Sequence, residues 1–387
     1  MRIAYFIDTI IPSQKANTVH VMRMCQALAK EGHTVTLYCD TDSNKRITAD
    51  VWKQYGVEEC FSIVSVKMPL LIRKYGHRFY NMLGARAKTK RAKDYDIAYG
   101  RSVYSLDRIK NKCKFIYEAH SEPTKWTKRY ERKVLSHKNC IGLVVISMAL
   151  KKRYLELFPF LHDTDITVLH DCADIDCSGN ETIAELKNIP GKSEIKIGYL
   201  GHLYPGKCME ILIPVAEKRP QYCFHIVGGT SEWITYWKDE IKRRRLDNII
   251  FYGYVNNADI GNYYRAFDIS FLSFSKSVYI GKSKNVDIGK WISPLKLFEA
   301  MSYKKAILVS AIPTILEVIT NGEDGLTAAP ENLNEWLDKL DMLVTDVNLR
   351  RQLGEAAFEK LKNEYTWEKR AKRISYLLGN RYEYCKE

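Results

Sequence analysis

The chain has 387 residues, 46% of them hydrophobic, and no internal repeat or low-complexity tract, which is enough for two globular domains with separate cores. No apolar run reaches the roughly 18 residues that a bilayer span needs, and Met1 to Asp8 reads as a first strand rather than a signal peptide, so the expectation is a cytoplasmic protein. The net charge of +14 is concentrated between Arg73 and Arg153, where 22 Lys and Arg stand against 6 Asp and Glu; such a stretch attracts phosphate, whether on nucleic acid, an anionic membrane or a lipid-linked acceptor.

The ten cysteines stand singly with no CxxC pair, so neither a zinc site nor a redox motif is indicated and most read as small buried residues. From the N-terminus, Arg2–Asp8 reads as a strand, Val19–Lys30 as an amphipathic helix stopped by Gly32, and Thr34–Tyr38 as the next strand. This βαβ opening predicts a parallel sheet whose first loop, Thr9 to Asn17, lies at the carboxyl edge where ligands bind. Between Ser65 and Asp94, apolar residues such as Phe79, Tyr80, Met82 and Leu83 alternate with Arg73, Lys74, Arg78, Arg86, Lys88, Lys90, Arg91 and Lys93. That mixture fits an interfacial helix with its cations on lipid headgroups, or a core-packed helix with a solvated basic face.

Further strands are expected at 96–101, at 114–119 running into His120, at 142–147, and at 166–171. Polar residues with Gly179, Pro190 and Gly191 form a linker, giving domains of 1–178 and 195–365 about a linker of 179–194, with a last amphipathic helix in 366–387. The second part opens on Ile195–Gly201, a strand that leads into Gly201-His202-Leu203-Tyr204-Pro205-Gly206-Lys207. Strands follow at 223–227, at 249–255 with Gly253 and Tyr254 at its end, and at 267–272. A long loop, Ser273 to Ile292, then suggests a lid. Asn332 to Lys362 reads as helical.

Ser293-Pro294-Leu295-Lys296-Leu297-Phe298-Glu299 reads as a helix start, with Ser293 as the cap and Pro294 in the first turn, followed by the buried strand Ala306–Val309. A helix entered this way offers its N-terminus to an anion. The whole stretch, through Lys305-Ala306-Ile307-Leu308-Val309-Ser310 to Glu317-Val318-Ile319, resembles the donor-site signature of the family 4 (group 1) glycosyltransferases. The resemblance implies an α/β fold of GT-B architecture, two Rossmann-like domains with parallel sheets facing across a cleft. It implies transfer of a sugar, with retention of configuration and without a metal or other cofactor, from a nucleotide-diphosphate sugar to a hydroxyl acceptor such as a glycan or lipid-linked sugar.

Carried over residue by residue, the resemblance places Glu299 on the ribose hydroxyls and the backbone amides near Ser293, Leu295 and Lys296 on the diphosphate. Gly201 and Lys207 match its Gly-Arg…Lys loop, with His202 where the family has Arg, so that more of the charge falls on Lys207. Gly253 and Tyr254 match the loop that meets the base, and His120 the histidine that supports the donor sugar; His120 and Lys207 are the candidate catalytic residues. Lys15, Ala16 and Asn17 occupy the first loop, where the family often has a Gly pair. Trp291 stands where a sugar-contacting Glu is common. The final helix would cross back onto the first domain.

Asp40-Thr41-Asp42 and Asp163-Thr164-Asp165 have the DxD spacing of metal-dependent transferases, but so short a pattern arises by chance, and no metal is expected. No Walker P-loop or Ser-His-Asp arrangement is readable. The alternatives are a sugar-nucleotide-binding module without catalysis, a sugar-nucleotide epimerase of the same architecture, or non-specific nucleic-acid attraction with no recognition motif.

Overall fold

A computed structural model describes residues 1–42, 47–48, 50–68, 76–175, 182–278, 287 and 289–383. The chain forms two compact units, one of Met1–His170 with Trp367–Glu387 and one of Asp171–Thr366.

In the first unit seven strands, β1 (Arg2–Ile10), β2 (Thr34–Asp42), β3 (Ser62–Met68), β4 (Ile97–Gly100), β5 (Lys114–Ala119), β6 (Cys140–Val145) and β7 (Ile166–Val168), form one sheet in the order β3-β2-β1-β4-β5-β6-β7. Every pairing is parallel. The helices between them are α1 (Ala16–Lys30), α2 (Asp50–Tyr55), α3 (His77–Arg91), α4 (Val103–Ile109), α5 (Lys128–Leu135) and α6 (Met148–Leu157). Strands this apolar, such as Ile3 to Ile7, are buried on both faces because helices cover the sheet on each side. The order reverses between β1 and β4, the switch point at which such sheets bind ligands.

The second unit repeats the design with β8 (Lys196–Leu200), β9 (Cys223–Val227), β10 (Ile249–Gly253), β11 (Ile269–Leu272), β12 (Ala306–Ser310) and β13 (Leu326–Ala328), ordered β10-β9-β8-β11-β12-β13 and all parallel. Its helices are α7 (Met209–Lys218), α8 (Ser231–Arg243), α9 (Ile260–Ala266), α10 (Leu295–Ser302), α11 (Pro313–Leu316), α12 (Leu333–Thr345) and α13 (Val347–Glu364). The stretch expected to be helical from Asn332 to Lys362 is helical and divides in two, because the Asp346 side chain accepts from Leu349 N–H and starts a second helix. The last helix, α14 (Trp367–Glu383), belongs to the first unit, where Trp367 packs edge-on to His20 and Ser375 bonds His33.

The basic segment does not present all its cations to solvent. Lys88 of α3 is fully buried: its ammonium lies 2.8 Å from Asp8 Oδ1 and 3.1 Å from Asp40 Oδ1 and also donates to the Ile7 carbonyl. Burial alone would lower its pKa, but the two carboxylates outweigh burial and raise it. The reading of Lys88 as a headgroup cation is therefore wrong. Asp40 is thereby spoken for in the first DxD pattern. In the second, Asp163 pairs with Lys151 at 2.9 Å and Asp165 accepts from His162 N–H. Among the described residues no helix is long and apolar enough to cross a membrane. The cysteines described are free thiols, five of them buried.

Glu131 of α5 is buried, and although Tyr154 donates to it at 2.6 Å, burial pushes its pKa up to about 7. A carboxyl whose folded pKa lies above the unfolded value near 4.5 contributes stability that is complete below pH 4.5 and lost as pH rises to about 7. Glu131→Gln is thus expected to match the wild type in urea midpoint at pH 4.5. At pH 8 it should exceed it by about 2–3 kcal/mol of unfolding free energy.

Candidate functional site

The carboxyl edge of the second sheet gathers most of the candidate donor residues. Gly201 and Gly228 follow the ends of β8 and β9 and Gly253 is the last residue of β10, and their backbones lock together: Gly201 N–H donates to Val227 O at 2.7 Å and Gly228 N–H to Gly253 O at 2.6 Å. Gly228 has φ of +107°, and a Cβ there would lie 2.4 Å from the Gly201 carbonyl oxygen, so no other residue fits this edge. A Cβ on Gly201 would meet the Lys296 side chain at 1.9 Å. The stem of Lys296 therefore crosses directly over Gly201 and carries its ammonium to the loop from Gly201 to Lys207.

That loop is held from several sides. Tyr199 Oη donates to the His202 carbonyl at 2.8 Å, and Trp237 Nε1 to the Leu203 carbonyl at 3.0 Å. Gly206 N–H donates to Glu210 at 2.8 Å, and Ser275 N–H to Gly206 O at 2.9 Å. The segment after β11 is itself clamped by Ser310, whose hydroxyl bonds both the N–H and the carbonyl of Phe274. His202 stacks on Tyr204 with ring centroids 4.9 Å apart, and the Lys207 ammonium sits 5.8 Å from the Tyr204 ring. Burial and the nearby Lys296 ammonium pull the Lys207 pKa down to about 7. Lys296 is likewise lowered by burial, with Glu299 opposing the shift. Two cations crowded together with one carboxylate are a site short of negative charge.

Glu299, in the second turn of α10, accepts from Tyr264 Oη at 3.0 Å; Tyr264 is buried and stacks flat on Tyr303, with 5.4 Å between centroids. Ser293 does not cap α10 as its position suggests. The helix begins at Leu295 with Pro294 in the cap position and no side-chain cap, because the Ser293 hydroxyl accepts the buried N–H of Asp171 at 2.8 Å. Gly253 closes the edge and Tyr254 beyond it is 40% exposed. Trp291 is buried. The expected lid falls in part on 279–286 and 288, outside the described residues; at its base Phe274 and Val278 are buried and Asp287 accepts from Val278 N–H.

The first unit places its own candidates at the ends of β1 and β5. Lys15 and Ala16 are exposed at the start of α1, with Lys15 in the cap position, while Asn17 donates to Thr9 at 3.2 Å. His120 follows β5, and its Nε2 bonds Glu118 Oε1. The same oxygen lies 2.9 Å from His20 Nε2 and 3.2 Å from Arg370 Nη2, while Tyr99 donates to the other carboxylate oxygen. Burial would raise the Glu118 pKa, but Arg370 and His20 hold it well below the usual carboxylate range. Burial, with Arg101, drives His120 down to about 3. His120 is therefore neutral at physiological pH, its proton on Nε2 toward Glu118 and its Nδ1 left as an acceptor. Glu118, Arg370, Tyr264 and Tyr199 are supporting residues that sequence reasoning missed, since none lies in a motif.

Two family models match the chain, "Glycosyltransferase Family 4" over residues 18–176 and "Glycosyl transferases group 1" over 181–360. The chain belongs to the family 4 (group 1) glycosyltransferases, with the two-domain α/β GT-B fold. An uncharacterised glycosyltransferase of Methanocaldococcus jannaschii is 26% identical over 312 residues, 78% of this chain and 71% of that protein. Among solved structures, the sucrose-phosphate synthase of Thermosynechococcus elongatus aligns over 100% of both chains at 16% identity with a TM-score of 0.74. Anabaena HepE, in complex with UDP and glucose, aligns over 98% of this chain and 100% of its own at 14% identity and a TM-score of 0.68.

Proposed function

We propose that this glycosyltransferase moves a sugar from a nucleotide-diphosphate sugar to a hydroxyl acceptor with retention of configuration, without a metal ion, in glycan, polysaccharide or glycolipid synthesis. The observation that carries this reading is the convergence of Lys207, Lys296 and Glu299 at one sheet edge, with the Lys296 stem laid over Gly201. On this reading Lys207 and Lys296 receive the diphosphate, and Glu299, steadied by Tyr264, accepts from the ribose hydroxyls. His202 and the amides at the start of α10 add donors, while Gly253 and Tyr254 border the base. Departure of the diphosphate from the anomeric carbon is the costly step, and fixed cations stabilise the charge that develops there. His120 offers Nδ1 to a sugar hydroxyl, and the first loop with Lys15, Ala16 and Asn17 meets the donor or acceptor. HepE's complexes with UDP and with UDP and glucose support a uridine donor as the first to test. The basic first unit suits a lipid-linked acceptor presented at an anionic membrane face.

Thermal stabilisation by UDP, GDP, ADP, CMP and dTDP, measured on wild type and Glu299→Ala, tests the donor site. A diphosphate at 100 times its Kd is expected to add about 2.7 kcal/mol to the wild type, and the variant to lose most of the shift. A set of nucleotides that leaves the wild type unmoved would count against the donor reading.

A further inference from the structure

The first unit exposes a compact apolar cluster that its core does not need. Trp126 is 64% exposed, Phe79 51% and Met82 38%. Trp126 lies more than forty residues from Phe79 and Met82, which share α3, and the two segments meet through Arg78 and Tyr130. The Arg78 guanidinium lies 5.4 Å from the Trp126 ring and 6.0 Å from that of Tyr130, and Tyr130 Oη is 3.8 Å from Met82 Sδ, while Phe79 stands next to Arg78 on α3. Trp126 does not hang from a loose loop. Thr124 and Thr127 each bond the other's backbone N–H through their hydroxyls, and Lys128 N–H returns to the Thr124 carbonyl, so Trp126 stands on a closed turn.

Charge surrounds this cluster with one sign. Lys125, Lys128 and Arg129 are exposed beside Trp126, and α3 carries no acidic residue along its length. The two acids nearby in sequence are taken: Glu122 by Arg153 at 2.8 Å, and Glu131 inside the unit against Tyr154. Exposed tryptophan and phenylalanine amid Lys and Arg complement a surface that is anionic outside and apolar just beneath. A protein interface core is depleted in lysine, and a nucleic acid has no use for Phe79 and Met82.

We propose that Trp126, Phe79 and Met82, with Arg78, Lys128 and Arg129 around them, form a docking face for an anionic lipid bilayer, the apolar side chains entering the headgroup layer and the cations meeting lipid phosphate. The proposal rests on the membrane part of the reading above and replaces its general basic stretch by a defined face. Lys88 has no part in it.

Co-sedimentation of the full chain with vesicles of phosphatidylcholine, with and without 30% phosphatidylglycerol, tests the face. The wild type is expected to bind only the anionic vesicles, with its tryptophan emission shifted to the blue, and Trp126→Phe to keep binding but lose most of that shift. Phe79→Ser with Trp126→Ser should weaken partitioning about tenfold or more, and Lys128→Ser or Arg129→Ser about fivefold each. Lys238→Ser with Lys242→Ser, on α8 in the other unit, should change nothing. Since all these side chains are solvent-exposed, an unaltered melting temperature shows that each variant is folded. Binding that is indifferent to the Phe79 and Trp126 changes overturns this face while leaving a membrane role standing. Absence of binding to anionic vesicles overturns both, and equal, Trp126-independent binding to duplex DNA reveals plain polyanion attraction and overturns the face.

Discussion

Lys207→Met is expected to lower kcat about a hundred- to a thousandfold, the effect of removing one preorganised group from a centre of developing negative charge. In the unliganded site the Lys207 pKa is held down to about 7 by burial and Lys296. A nucleoside diphosphate favours the charged form, so at pH above 7 binding must bring a proton with it, and below 7 the proton is already in place. The sign follows: diphosphate affinity is level below pH 7 and falls by about tenfold per unit as pH rises above it, until the pKa of the bound state is passed. Calorimetry at pH 8 in two buffers of different ionisation enthalpy should show uptake of up to one proton. Lys207→Arg, always charged, should bind with little pH dependence, because guanidinium does not titrate in this range. A wild-type affinity that stays flat from pH 6.5 to 8.5 would remove Lys207 from the diphosphate site.

The parallel strands were legible because buried runs such as Ile197–Leu200 and Ala306–Val309 have few other ways to hide both faces. The donor stretch was legible only through its resemblance, since a lone Glu299 on a helix says nothing of Tyr264, which reaches it from α9. Ser293-Pro294 misled for a local reason: the pattern of a cap is the same whether the hydroxyl turns to the helix or, as here, to the Asp171 N–H 122 residues away. Lys88 was hidden among like residues. Its partners Asp8 and Asp40 lie on separate strands, and only the sheet order β2-β1 brings them to the same ammonium. The docking face escaped for the same reason, as the helical spacing that marked Phe79 and Met82 carries no sign of Trp126.

Glu118→Ala is expected to cost the first unit about 3–5 kcal/mol, because it leaves Arg370 buried without its carboxylate. Exchange of both, Glu118→Leu with Arg370→Met, should recover much of that loss, since the penalty lies in the stranded charge more than in the missing pair. Catalysis separates the structural part from the positional one. Glu118→Gln keeps the volume but no longer fixes the His120 proton on Nε2, so Nδ1 ceases to be a constant acceptor. On the proposed reading kcat falls while KM for the sugar nucleotide, set by the second unit, hardly moves. The pH profile supplies the discriminating readout. His120 already titrates near 3, and the Glu118 carboxylate is one of the influences that raise it, so its neutralisation can only lower that value further. The loss in kcat should therefore be a constant factor from pH 6 to 9. A loss that instead grows or vanishes across that range would mean that the change has disturbed some other group titrating between pH 6 and 9, since neither His120 nor the Glu118 carboxyl does so, and would overturn the orienting role.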